Sequence, residues 1–276
     1  MNTKDQETRA RRFRELHDSG HFVIANCWDA GSARVLASLG FAALATSSSA
    51  AAAVYGRLDH GISIEQCLEN ARAICQATDL PVSADLEKGF GDQPADVMRA
   101  IQRAAEVGLV GGSIEDASGA RDKPIYDLNF AIDRVAAAAE AARALPFPFT
   151  LTARCENYLH GRADLDDTIR RLQSYERAGA DVVFAPALPD LAAVRAVCAA
   201  VNVPVNFMVA IPGKSFSVAE LAAAGVRRVS LAASLYRAAM TGFIAAAREV
   251  RDQGTFGFLD RNIPNAEFSS LLKGGA

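Results

Sequence analysis

The stretch PVSADLEKGFGD spans residues 81–92. Pro81, Val82, Ser83 and Ala84 open it like a short buried strand. Asp85 and Glu87 follow two residues apart, and a glycine-rich turn closes it. Side chains two apart on a strand share a face. The spacing therefore predicts two carboxylates emerging together where an apolar segment ends. Like charges repel and their desolvation is costly, so such a pair needs a reason.

Seven similar runs recur along the chain: FVIANC (22–27), AALATSS (42–48), GGSIED (111–116), FTLTARC (149–155), DVVFAP (181–186), PVNFMV (204–209) and RRVSLA (227–232). They are apolar throughout rather than alternating, as parallel strands covered on both faces are. Ala-rich segments of helical period lie between them, at 31–39, 63–77, 94–107, 128–144, 165–178, 190–200 and 217–224. Several end in glycine (LASLGF, AAEVGL, YERAGAD, LAAAGVRR), the residue suited to a left-handed helix cap. Eight strand–helix units in 276 residues predict an α/β protein built as a (β/α)8 TIM-type barrel. A doubly wound open sheet is the competitor, weakened because no GxGxxG follows the first run. No Pro-, Gly- or Ser-rich linker splits the chain, so residues 1–276 are read as one domain, with 234–276 a C-terminal helical extension. Phe256, Phe258 and Leu259 are too apolar for a free tail and are expected to pack on the barrel or on a neighbouring subunit.

Composition narrows the function. Half the residues are hydrophobic, enough for a sizeable core, and the net charge is −3 with a pI near 5.9. No basic surplus points to nucleic acid or an anionic membrane. Five cysteines without a CxxC spacing suit reduced thiols and a cytoplasmic protein. The charged N-terminus lacks the apolar core of a signal peptide and reads as an amphipathic helix with Phe13 and Leu16 on one face. No uncharged run reaches membrane length, since Arg237 interrupts 229–247. Four histidines without an HExxH motif argue against zinc hydrolysis.

Barrel chemistry sits at the C-terminal strand ends. There the chain places Asp29, Ser47, Ser48 and Ser49, Asp85 and Glu87, Glu115 and Asp116, Arg154, Cys155 and Glu156, Asn206, and Ser230, with Asp59 in the second loop. Four carboxylates (Asp59, Asp85, Glu87, Glu115) on one rim call for a cation, and oxygen donors suit Mg2+ or Mn2+. Arg154 either neutralises these acids or grips a substrate carboxylate through its bidentate fork. Ser47–Ser49 form either a polar turn or a nest of N–H groups facing an anion. Asp29 reads as a helix N-cap, Asp116 as a cap or ion-pair partner, and Cys155 as a small buried residue.

The motifs NCWDAGSARVLASLGFAALATSSSAAAAVYGRLD (26–59), PVSADLEKGFG (81–91), GGSIED (111–116), LTARCENYL (151–159) and AGADVVFAPAL (178–188) resemble the isocitrate lyase/phosphoenolpyruvate mutase superfamily, in its order and across nearly the whole chain. The resemblance implies a Mg2+-binding barrel that handles α-keto or 2-hydroxy acids through an enolate. It implies Asp85 as the nearest metal ligand, with Asp59, Glu87 and Glu115 as outer acids. Ser47 and Ser48 then match the loop holding the substrate's carboxylate or phosphonate, and Arg154 the substrate-binding arginine. It also implies a homodimer or homotetramer that exchanges C-terminal helices.

Departures from the pattern bear on the reaction. Glu87 replaces the motif's second aspartate. The K-[KR]-C-G-H loop of the tricarboxylate lyases is replaced by ASGARDKPIYD (117–127), which has neither cysteine nor histidine. Pro186 stands where those lyases carry a glutamate, and Ala45 where the family has an aromatic residue. The mutase loop is not reproduced either, although Arg121 and Lys123 keep some positive charge. The expectation is a Mg2+-dependent carbon–carbon lyase of a small α-keto or 2-hydroxy acid. Arg154 and Glu115 would serve catalysis, with Asp122, Lys123 or Tyr126 as loop proton carriers and Asn206 in the substrate pocket. Oxaloacetate-type decarboxylation, phosphonopyruvate mutase or hydrolase chemistry, and non-catalytic binding of an α-keto acid are the alternatives.

Overall fold

The computed structural model describes residues 3–273. Eight parallel strands close into a barrel in chain order: β1 (Phe22–Asn26), β2 (Ala43–Ala45), β3 (Val82–Asp85), β4 (Gly111–Glu115), β5 (Thr150–Arg154), β6 (Val182–Phe184), β7 (Val205–Met208) and β8 (Arg228–Ser230). β8 returns to pair with β1, Phe22 opposite Arg228. Each of the eight apolar runs contains one strand.

The helices are α1 (Thr3–Asp18), α2 (Ala30–Ser38), α3 (Ser48–Val54), α4 (Ile64–Ala77), α5 (Pro94–Glu106), α6 (Leu128–Arg143), α7 (Leu165–Ala178), α8 (Leu191–Ala200), α9 (Val218–Ala223), α10 (Ser234–Gln253) and α11 (Asn265–Lys273). Their starts follow from local chemistry. Asp29 with Ser32, Ser63 with Gln66, and Ser217 with Glu220 form reciprocal capping boxes on α2, α4 and α9. Gly179 ends α7 in the left-handed conformation.

α1 closes the N-terminal end of the barrel. Its Phe13 and His17 pack edge-on against Phe22, the first residue of β1, and Gln6 donates to the carbonyls of Ala105 and Leu109. Gly111, the first residue of β4, makes room for this plug: a Cβ there would lie 2.8 Å from the Phe13 ring. The opposite end is left for the loops that carry polar groups.

The C-terminal extension is helical, and of its two expected packings the one on the barrel is not met by Phe256 and Leu259, while the one on a neighbouring subunit stays an expectation. No residue of α10 is buried, and Phe256 and Leu259 are exposed rather than packed on the barrel. α11 returns to α2 of the same chain, where Ser38 Oγ donates to the Leu271 carbonyl. Among the described residues no helix is long and apolar enough to cross a membrane.

Candidate active site

β3 delivers Asp85 to the C-terminal mouth. Its Oδ2 accepts from the Ser48 N–H at 3.3 Å and its Oδ1 from the Glu87 N–H at 3.2 Å. The serine run is therefore the start of a helix. Ser47 caps α3 by accepting from the Ala50 N–H, and the next amide turns to Asp85. Ser49 lies in the first turn of α3.

Glu87 does not share a strand face with Asp85. β3 stops at Asp85, and Glu87 sits at φ +52° in the following turn, where the rule of two no longer applies. Phe90 (φ +58°) and Gly89 (φ +84°) continue this left-handed turn. Arg134 of α6 holds it by donating to the carbonyls of Lys88, Gly91 and Asp92. The turn sends the Glu87 carboxylate to His60, whose Nδ1 is 2.9 Å away. The hydrogen bond to Glu87 raises His60 to about 9. Ligand-type atoms of Asp59, His60 and Glu87 lie within 4.8 Å of one another.

Arg154, at the end of β5, faces three acids. Its Nη1 is 3.4 Å from Glu115 and 3.8 Å from Asp85, and its Nε contacts Glu156. Burial works against its charge, but Glu156, Glu115 and Asp85 outweigh that and raise its pKa. Burial also pushes Glu115 up to about 8, although Arg154 opposes the shift. The Phe184 ring supports the guanidinium from 5.3 Å.

Asp85 and Arg154 line a cavity of about 70 Å3 that runs into the barrel, with Ser47, Asn206 and Arg228 also in its wall. Asn206 accepts from Arg228 and donates to Ser230 Oγ. Asp122 and Lys123 stand apart: both are exposed on the 117–127 loop, and Lys123 pairs with Asp127. Tyr126 is turned away as well, its hydroxyl donating to Asp92 at 2.6 Å.

The residues near Asp85 fit a hard divalent cation. Among the described residues, the Asp85 carboxylate is engaged by two backbone amides and a distant Arg154 nitrogen, which leaves lone pairs facing the mouth. Glu87 and Glu115 add oxygen donors of the type Mg2+ prefers.

Asp116 is structural. It is buried and accepts from the Glu156 N–H, Arg171 Nη1 and Tyr175 Oη. Cys155 is buried, and burial raises its thiol pKa well above the ordinary value. Sequence reasoning overlooked His60 and Arg228. The Asp59–His60 dipeptide was a local signal for the first, and a charged residue inside the run RRVSLA for the second.

The family model described as phosphoenolpyruvate phosphomutase matches residues 13–251. The chain is similar to a Burkholderia cenocepacia J2315 structure assigned only to the broad class lyase/mutase: 51% identity, 97% of this chain and 96% of that one, TM-score 0.94. It is 31% identical over 214 residues to 2-methylisocitrate lyase of Escherichia coli K12, covering 74% of this chain and 71% of the lyase. It is 30% identical over 247 residues to an oxaloacetate decarboxylase of Pseudomonas aeruginosa PAO1, covering 87% and 84%. With its closed parallel barrel and acid-lined mouth, the chain belongs to the isocitrate lyase/PEP mutase superfamily.

Proposed function

We propose that the protein is a Mg2+-dependent lyase that cleaves a carbon–carbon bond of a small α-keto or 2-hydroxy acid. The observation that carries this reading is the meeting of Asp85, Glu115 and Arg154 at the ends of three consecutive strands, beside the first amides of α3. Mg2+ serves within the superfamily, as in a phosphonopyruvate hydrolase complex. Asp85 would hold the ion, with Glu87, Glu115 and Asp59 acting around it. When bound, it would supply Lewis acidity to the substrate's carboxylate and neighbouring oxygen.

The chain's own residues do the rest. Arg154 offers a preorganised cation to the charge that develops as the bond breaks. Glu115 and Glu156 fix that guanidinium from two sides. Ser47, Ser48, Ser49 and Asn206 shape the acid-binding wall. Loss of CO2 from an oxaloacetate-like acid is the second reading. It is favoured because Asp122, Lys123 and Tyr126 are all engaged or exposed away from Asp85, and decarboxylation needs no base for a hydroxyl.

The test is a product screen by mass spectrometry with Mg2+ against oxaloacetate, 2-alkylmalates, 2-methylisocitrate and phosphonopyruvate. A metal-dependent pyruvate or glyoxylate signal, abolished by EDTA and by Asp85→Ala, is the expected outcome. Phosphate release from phosphonopyruvate alone would replace the lyase reading with phosphonate chemistry. Retention of an intact keto acid without turnover would make the protein a binder. Asp85→Ala is expected to keep the wild-type circular dichroism spectrum, since Asp85 lies at the solvent-facing end of β3. Unchanged Mg2+ and acid binding in that variant would remove Asp85 from the metal site.

A further inference from the structure

The floor of the mouth cavity carries a charge that the chemistry at the rim does not use. Arg228 opens β8 and is 5% exposed. Its guanidinium reaches across the barrel: Nε donates to Asn206 Oδ1 at 2.7 Å and Nη2 to Thr152 Oγ1 at 2.9 Å. Nη1 lies 3.4 Å from His17 Nε2. His17 Nδ1 is 2.8 Å from the Phe13 carbonyl, which makes Nδ1 the protonated nitrogen and Nε2 an acceptor. All these partners are neutral.

The contrast with Arg154 is direct. The two arginines line one cavity. Arg154 is surrounded by Asp85, Glu115 and Glu156, whereas among the described residues no carboxylate forms an ion pair with Arg228. A buried cation held only by neutral groups keeps most of its desolvation cost, and an anion brought beside it is strongly favoured. Consistent with this, burial alone lowers the pKa of Arg228 to about 9. The strand register sets the geometry: Arg154 pairs with Phe184, Phe184 with Asn206, and Asn206 with Arg228. Barrel strands tilt, so this row descends from the rim into the interior. Ser83 and Ser113 add hydroxyls to the same cavity wall.

We propose that this floor is a carboxylate-binding subsite, in which Arg228 reads the end of the substrate remote from Asp85 and sets specificity for diacids over monoacids. The proposal rests on the reading of the mouth as an acid-binding site. The fork of a guanidinium matches a carboxylate, and a charge-assisted pair away from water gives a preference a surface pair could not.

The experiment compares malate with 2-hydroxybutyrate, which has a methyl group in place of the second carboxylate, by calorimetric titration in Mg2+. Wild type is expected to bind malate at least about tenfold more tightly. Arg228→Gln should remove that preference while leaving 2-hydroxybutyrate affinity within about twofold. If Arg228→Gln does not fold, Asn206→Asp decides. It is isosteric and supplies Arg228 with an internal counter-charge, so it should lower malate affinity about tenfold. Equal binding of the two acids by wild type, or an undiminished preference in either folded variant, overturns the subsite and leaves the parent reading standing. Binding of neither acid by wild type also overturns the subsite, and the product screen alone decides the parent reading.

Discussion

At the scale of single residues, burial decides which charges serve the fold and which face the mouth. Asp116 and Glu115 are neighbours in sequence and both buried, yet their partners differ. Asp116 takes three donors, from Glu156, Arg171 and Tyr175, and its side chain is 2% exposed. Glu115 faces Arg154 and the mouth. Asp116→Asn would set an amide against these donors and take from the buried Arg171 one of its two carboxylates, the other being Asp167. The expected loss is about 3–5 kcal/mol of stability, read by urea unfolding. A loss below about 1 kcal/mol would show that the cluster is not the anchor described. The sequence separated these neighbours only in part: Asp116 was legible as a cap or ion-pair partner, but not which partners it takes. His60 and Arg228 gave a local signal but not a role, because their partners Glu87, Thr152 and His17 lie far away in the chain.

At the scale of elements, most of the barrel could be read from the chain. The eight runs hold the eight strands because a strand covered on both faces has few ways to be anything else. Errors gathered where an element ends. The 42–48 run overshot because Ser47 is a helix cap, and the alanines of α3 lack the polar contrast that marks a helix face. Glu87 was assigned to the face of Asp85 because the alternation rule was carried past the last strand residue. The plug helix α1 yields a pH prediction. Burial, with Arg228 and Arg14 nearby, lowers His17 to about 3 from 6.5. The unfolded chain therefore takes up a proton that the folded chain refuses, and stability falls as pH drops from 6.5 toward 3. Above 6.5 the group is neutral in both states and has no effect. His17→Gln should flatten this acid limb, reducing the stability change between pH 7 and pH 4 by about 3 kcal/mol. Parallel curves for the two proteins would place the acid sensitivity elsewhere.

At the scale of the whole molecule, the C-terminal extension is the part that a single chain leaves without a core. α10 has twenty residues and none is buried. Met240, Phe243, Ala247 and Val250 recur at helical spacing along one stripe, and Phe243 is 64% exposed. Phe256, Leu259 and Phe268 extend the apolar surface beyond the helix. An apolar stripe left exposed along a twenty-residue helix marks a surface for association. We propose that a second copy of the chain covers it, giving a dimer or tetramer, because a self-complementary helix face is satisfied most simply by two-fold symmetry. Light scattering should then return a multiple of the 29.2 kDa chain mass. Phe243→Glu places a charge in the centre of the stripe, where the single chain makes no use of the ring. It should shift the mass toward that of one chain while leaving the barrel's circular dichroism unchanged. A wild-type mass of one chain at micromolar concentration would overturn the proposal. A variant that keeps the wild-type mass would move the contact off α10 and onto the segment after Gly254.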